Sequence, residues 1–143
     1  MKAAVTKRLV LDASVAVAWC FEEESTRFTE GILDSVIGGA EVLTPAIWPF
    51  EVANALLVAE RHKRVTMAQA TALLQRISKL PVLVEAISPN RAFEQILQVA
   101  RQYQLTEYDA AYVDLALREA LPLATLNAKL GRAAHSAGLM LVE

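Results

Sequence analysis

The chain has 143 residues, 55% of them hydrophobic, and a formal net charge of −2, with a pI near 5.7. That length suits one domain with a proper core, and the charge gives no support to a nucleic-acid binder that relies on basic residues alone. The longest uninterrupted apolar run, residues 15–21, is too short to cross a membrane, so the mean hydropathy of +0.32 predicts apolar surface covered by a second chain or a partner.

Lys2, Lys7 and Arg8 ahead of that run faintly resemble a signal peptide, but Asp12 interrupts the apolar region and no small-residue cleavage site follows. Cys20 is the single cysteine, so no internal disulfide forms and the expected compartment is the cytoplasm. Leu9-Val10-Leu11 reads as a strand buried on both faces, stopping at Asp12 before an Ala/Val-rich helix. Glu22, Glu23 and Glu24 form a solvated turn, and Ser25 is the expected cap of a helix over 25–37 closed by Gly38 and Gly39. A short strand at 41–44 ends at Pro45. The next helix, over 46–63, tolerates Pro49 in its first turn. Its apolar stripe is Val52, Ala55, Leu56 and Ala59, while Glu51 and Asn54 share another face.

Thr66 caps an amphipathic helix that buries Ala70, Leu73, Leu74 and Ile77, and Pro81 ends it. A third strand follows at 82–84. The helix over 90–103 is expected to turn Phe93, Ile96, Leu97 and Ala100 inward. Thr106 opens another helix, over 107–120, before a strand at 122–126. A short helix from Asn127 to about Gly138 and a last strand at 139–142 complete the chain. Strands separated by helices, with no hairpin signal, predict a parallel sheet covered on both faces.

Four polar residues stand where such a sheet places chemistry, outside the carboxyl ends of its strands. Asp12 follows the first strand, Glu51 opens the helix after the second, Asp109 opens the helix before the fourth, and Asn127 follows the fourth. Each also suits an ordinary helix start or cap. Caps do not require the acids to converge, however. Two carboxylates about 4 Å apart at an effective dielectric near 20 repel by roughly 4 kcal/mol, so convergence calls for a cation or a bound proton. An oxygen-only ligand set favours Mg²⁺ or Mn²⁺ over zinc. His62 and His135 have no ligand spacing; Arg61, Lys63, Arg64, Lys129 and Arg132 suit phosphate contacts or solvated helix ends. Trp19, Trp48 and Phe50 read as core or interface.

Leu-Asp-Ala-Ser at 11–14, Ala-Ile-Trp-Pro-Phe-Glu-Val-Ala-Asn at 46–54, Tyr-Asp-Ala-Ala-Tyr at 108–112 and Leu-Ala-Thr-Leu-Asn at 123–127 together resemble a PIN domain, and more narrowly the VapC-type toxin ribonucleases. The resemblance implies one PIN-like domain over 1–143, a three-layer α/β/α sandwich with a five-stranded parallel sheet. It also implies a Mg²⁺-dependent endoribonuclease (Mn²⁺ as substitute) of a type II toxin–antitoxin system, with an RNA substrate, a cognate antitoxin and a homodimer. The family's first three acids fall on Asp12, Glu51 and Asp109, with Glu51 reaching the metal directly or through water. Asn127 stands at the fourth acidic position and brings no charge, which implies weaker metal binding. Ser14, Asn54, Thr125 and Asp114 are secondary support, although Asp114 lies about 140° around the helix from Asp109. Two competing readings are a catalytically weakened PIN-like binding module and a phosphoacceptor α/β domain. The latter needs an acidic pair after the first strand and a well-placed lysine, and neither is evident.

Overall fold

The computed structural model describes residues 7–143, so Lys2 of the basic lead-in lies outside it. Its sheet has four parallel strands in the order β3-β2-β1-β4. β1 (Arg8–Leu11) is interior to the sheet and β2 (Glu41–Pro45) flanks it. β3 (Val82–Glu85) forms one edge and β4 (Leu123–Ala124) lies on the other side of β1. Leu9, Val10 and Leu11 are wholly buried, as a both-faces-covered strand requires.

The expected fifth strand is reduced to one bridge between Leu123 and Leu141. Leu123 N–H donates to Met140 O and Val142 N–H to Leu123 O, both at 3.0 Å. The reason is local. Pro122 carries no amide donor, and beyond Ala124 the chain leaves the sheet to build the turn at 125–127, so β4 has almost nothing left to pair.

From β1 the chain moves one way to β2 and β3, then returns across the sheet to β4. Crossovers of the same hand running in opposite directions place their helices on opposite faces. They also open a crevice at the carboxyl ends of the strands where the direction reverses, here between β1 and β4. α7 (Glu107–Glu119) lies over β1, β2 and β4, flanked by α8 (Ala128–Ser136) and α6 (Leu97–Tyr103). α1 (Ala13–Ala18) packs on α3 (Trp48–Arg61), and α3 on α4 (Met67–Ser78). Phe21, Leu56, Ala59 and Ala70 form a second, smaller apolar cluster. No helix among the described residues is long and apolar enough to cross a membrane.

Two local expectations are corrected. α2 (Arg27–Ile37) is capped by Thr26 rather than Ser25: Thr26 and Thr29 satisfy each other's backbone N–H reciprocally. The Ser25 hydroxyl donates instead to Glu30 Oε1 at 2.6 Å. The second correction concerns Phe93, which is 71% exposed. α5 (Pro89–Arg91) runs into α6 through a π-helical turn at Ala92–Ile96. That wider turn rotates the register, so Ile96 and Ala100 stay buried while Phe93 swings outward. The three glutamates form a 3₁₀ turn, with Arg64 bonded to Glu23 and Glu24 and its guanidinium 4.1 Å from the Phe21 ring centroid. Cys20 is partly buried, and burial pushes its thiol up to about 11, which disfavours the nucleophilic thiolate.

Arg91, just before the π turn, grips the buried Asp114 of α7 with two parallel bonds, Nε to Oδ2 at 2.8 Å and Nη2 to Oδ1 at 2.9 Å. Removing one partner of such a pair strands a buried charge. Urea melts of Arg91→Ala should show a loss of about 3 kcal/mol, with much of it regained in the Arg91→Met/Asp114→Leu double variant. A loss below about 1 kcal/mol would mean that the pair behaves as an exposed one.

Candidate active site

Asp12 sits at the carboxyl end of β1 with its backbone N–H donating to Ala124 O of β4 at 2.9 Å. Its side chain is buried and makes no capping bond to α1. Oδ2 instead accepts from Ser14 Oγ at 2.6 Å and from Thr125 Oγ1 at 2.7 Å. Each hydroxyl in turn accepts a backbone N–H, Ser14 from Leu126 at 2.9 Å and Thr125 from Asn127 at 3.0 Å. Each amide takes one lone pair of its hydroxyl, and the carboxylate oxygen can only accept, so both O–H hydrogens point at Asp12. The carboxylate is fixed by the turn that follows β4.

Glu51 stands in the first turn of α3, where Trp48 and Pro49 start the helix. Its Oε1 accepts from Tyr112 Oη at 2.6 Å. Burial raises the Glu51 carboxyl above its ordinary value, the Tyr112 hydrogen bond opposes this, and the charges of Asp12 and Asp109 raise it further. Asp109 opens α7. There Thr106 Oγ1 accepts the Asp109 backbone N–H at 3.1 Å, leaving the Asp109 carboxylate out of the cap. Burial and then the Asp12 charge raise Asp109, against the pull of Lys129. The acids come from three separate segments near the carboxyl rim, and the charge of Asp12 bears on both Glu51 and Asp109.

Tyr112 was not legible as a site residue, although it lies three positions from Asp109 on the same helix face, which is the signal that could have found it. It is wholly buried. Burial and its bond to the Glu51 carboxylate push the phenol far above its usual range, so it stays a donor.

Asn127 is the cap of α8: its Oδ1 accepts Leu130 N–H at 3.1 Å. The oxygen that a ligand role would use is engaged, and the amide side that remains is a donor. Asp114 is turned away into its pair with Arg91 and does not join the acids. Asn54 is exposed and makes no side-chain hydrogen bond among the described residues. Trp48 is core and Trp19 donates to Thr29 O at 2.8 Å, whereas Phe50 is 79% exposed beside Glu51.

No three of the His, Cys, Asp and Glu side chains among the described residues are gathered closely enough to hold an ion between them. The chemistry of the donor set nevertheless suits a hard cation. The donors are all carboxylate oxygens. Among the described residues Asp12 keeps one oxygen without a protein partner and no hydrogen bond reaches the Asp109 carboxylate, and Lys129 partly offsets the negative charge.

Residues 9–136 match the PIN domain family model. No curated protein matches the chain. Among solved structures, PAE2754 from Pyrobaculum aerophilum superposes with a TM-score of 0.72 at 25% identity, over 98% of this chain and 86% of the other. FitAcB from Neisseria gonorrhoeae gives 0.66 at 16% identity, over 94% and 96%. VapC20 from Mycobacterium tuberculosis, described as a Sarcin-Ricin loop cleaving toxin, gives 0.66 at 14% identity, over 94% and 98%. The last two likenesses concern the fold alone. With the family model spanning nearly the whole sequence over this parallel sheet, the chain belongs to the PIN domain family.

Proposed function

We propose that this protein is a Mg²⁺-dependent endoribonuclease, with Mn²⁺ as substitute, acting as the toxin of a type II toxin–antitoxin pair. The observation that supports the reading is that Asp12, Glu51 and Asp109, drawn from three segments, lie near enough for their charges to act on one another, with the proton affinities of Glu51 and Asp109 raised by burial and by neighbouring acids. Membership of the PIN family supports it, as does the likeness in fold to the toxin VapC20.

Asp12 and Asp109 would hold the ion directly, and Glu51, tied to Tyr112, would act through a water. When bound, the ion supplies a water of lowered pKa and positive charge against the phosphodiester transition state. Ser14 and Thr125 keep Asp12 from swinging away, and Tyr112 holds Glu51 in place. Lys129 brings positive charge beside Asp109, where an RNA phosphate would otherwise meet only carboxylates. A homodimer and an antitoxin belong to this reading. Phe50, Met67 and Phe93 are exposed apolar residues of the kind such partners cover, and the faces of α2 and α3 are where the antitoxin would dock. Sedimentation as a monomer at micromolar concentration would contradict the dimer.

Thermal melts test the metal site. The folded state holds protons on Glu51 and Asp109 more tightly than the unfolded chain does. Metal-free stability should therefore be fully present below the ordinary carboxylate values and fall as pH rises through the raised ones. Mn²⁺ should restore it by about 2.7 kcal/mol at a hundredfold excess over Kd. Asp12→Asn should lessen the pH dependence without removing the part that burial causes, abolish the Mn²⁺ response and stop RNA cleavage. An unchanged Mn²⁺ response in that variant would remove Asp12 from the site.

A second reading, a PIN-like binding module with weakened catalysis, is favoured by one observation: Asn127 serves as a cap. Asn127→Ala should lose about 1 kcal/mol in urea melts and Asn127→Asp almost nothing. Calorimetric Mn²⁺ titration separates the roles. Equal affinity across native, Ala and Asp proteins confines Asn127 to capping, whereas tighter binding by the Asp variant makes the position part of the metal site.

A further inference from the structure

Beside the acids lies a cavity of about 550 Å³ between the turn at 125–127, one face of α8 and Leu141. It is an open groove rather than an enclosed site, of a shape that suits a strand lying across it. It is continuous with the acid rim, because Thr125, which bonds Asp12, is also part of its wall. Leu126 and Leu141 make its apolar sides. Gly131 makes its floor: a Cβ there would lie 3.7 Å from Leu141 Cδ1 and 3.8 Å from Thr125 Cγ2, so any longer side chain would enter the space. Arg132 and His135, three apart on α8, supply the polar edge, and no carboxylate lines the pocket. Arg132 is exposed and forms no ion pair among the described residues.

We propose that this pocket is a nucleotide subsite, taking the base and phosphate of the residue next to the scissile bond of a single-stranded RNA. The proposal rests on the nuclease reading for its substrate class and adds where the neighbouring nucleotide sits. Charge argues for a polyanion as occupant. The acids repel a phosphodiester, whereas Lys129, Arg132 and His135 run along the adjoining helix, so a strand crossing the rim is drawn toward α8. The apolar walls argue for a base as well as a phosphate. Unstacked RNA bases are recognised by apolar or guanidinium faces together with hydrogen bonds at their edges. Thr125, Asn127 and Ser136 offer such polar groups around the pocket. A basic peptide is disfavoured within the pocket itself, where it would meet Arg132 and no carboxylate lines the wall.

The test uses metal-free, ¹⁵N-labelled protein titrated with each of the four ribonucleoside 5′-monophosphates and, separately, inorganic phosphate. At least one nucleotide should shift the amide signals of Leu126, Ala128 and Gly131. Arg132→Ala should weaken that binding about tenfold, as expected for one charge-assisted hydrogen bond. Leu126→Ala should weaken the nucleotide and leave inorganic phosphate unaffected; both substitutions are at exposed positions and leave the core intact. The subsite is overturned if no nucleotide shifts these signals at millimolar concentration. It is equally overturned if inorganic phosphate matches the nucleotides, or if Arg132→Ala changes nothing. Because no metal is present, the two readings fail separately. Cleavage without pocket binding sinks the subsite alone, and pocket binding without Mn²⁺-dependent cleavage supports the subsite and sinks the nuclease.

Discussion

Like charges gathered at the carboxyl rim are the constraint on which the rest of this structure depends. Asp12 is buried, Glu51 and Asp109 are raised by burial and by neighbouring acids, and the Tyr112 hydrogen bond at Glu51 and the Lys129 charge at Asp109 pull the other way. Left to themselves, such side chains would turn toward water and apart. They are kept in place by hydrogen bonds that tolerate little movement. Two hydroxyls, themselves oriented by backbone amides, close on Asp12, and a buried phenol closes on Glu51. The fold works against the repulsion of the acids, and a cation is the natural means of relieving it.

α7 carries much of this arrangement. Its residues from Ala110 to Ala116 are buried, so it cannot rotate without breaking the core. Along it, Asp109 and Tyr112 look toward the rim, while Asp114 points the other way into Arg91. The bidentate pair at Asp114 therefore fixes the azimuth of the helix that presents Asp109 and Tyr112. The π turn next to Arg91 belongs to the same arrangement: one widened turn lets Ile96 and Ala100 stay in the core while Arg91 reaches Asp114.

The turn after β4 has a comparable double role. Thr125 and Asn127 are two residues apart, and the Asn127 amide orients the Thr125 hydroxyl that holds Asp12. Asn127 Oδ1 meanwhile starts α8, whose exposed face then borders both the acids and the adjoining pocket. A fourth carboxylate here would have added charge to a rim already short of positive partners. The asparagine retains the cap and lightens the repulsion.

The sequence by itself determined the parallel α/β class, the strand carrying Asp12, and the helix starts carrying Glu51 and Asp109. Each of these is written in local pattern: short apolar runs, caps and 3.6-residue stripes, which act through neighbours within a turn or two. Tertiary structure alone decided what those patterns cannot encode. It shortened the fifth strand to a bridge, because β4 leaves the sheet after two residues to make the site's turn. It turned Phe93 outward through a π turn, and took Asp114 for Arg91. It also chose, for each candidate, between capping and facing the rim, which depends on contacts such as Tyr112 with Glu51, 61 positions apart, and Thr125 with Asp12, 113 apart. Contacts at that separation exist only after the chain has folded, so no local periodicity announces them.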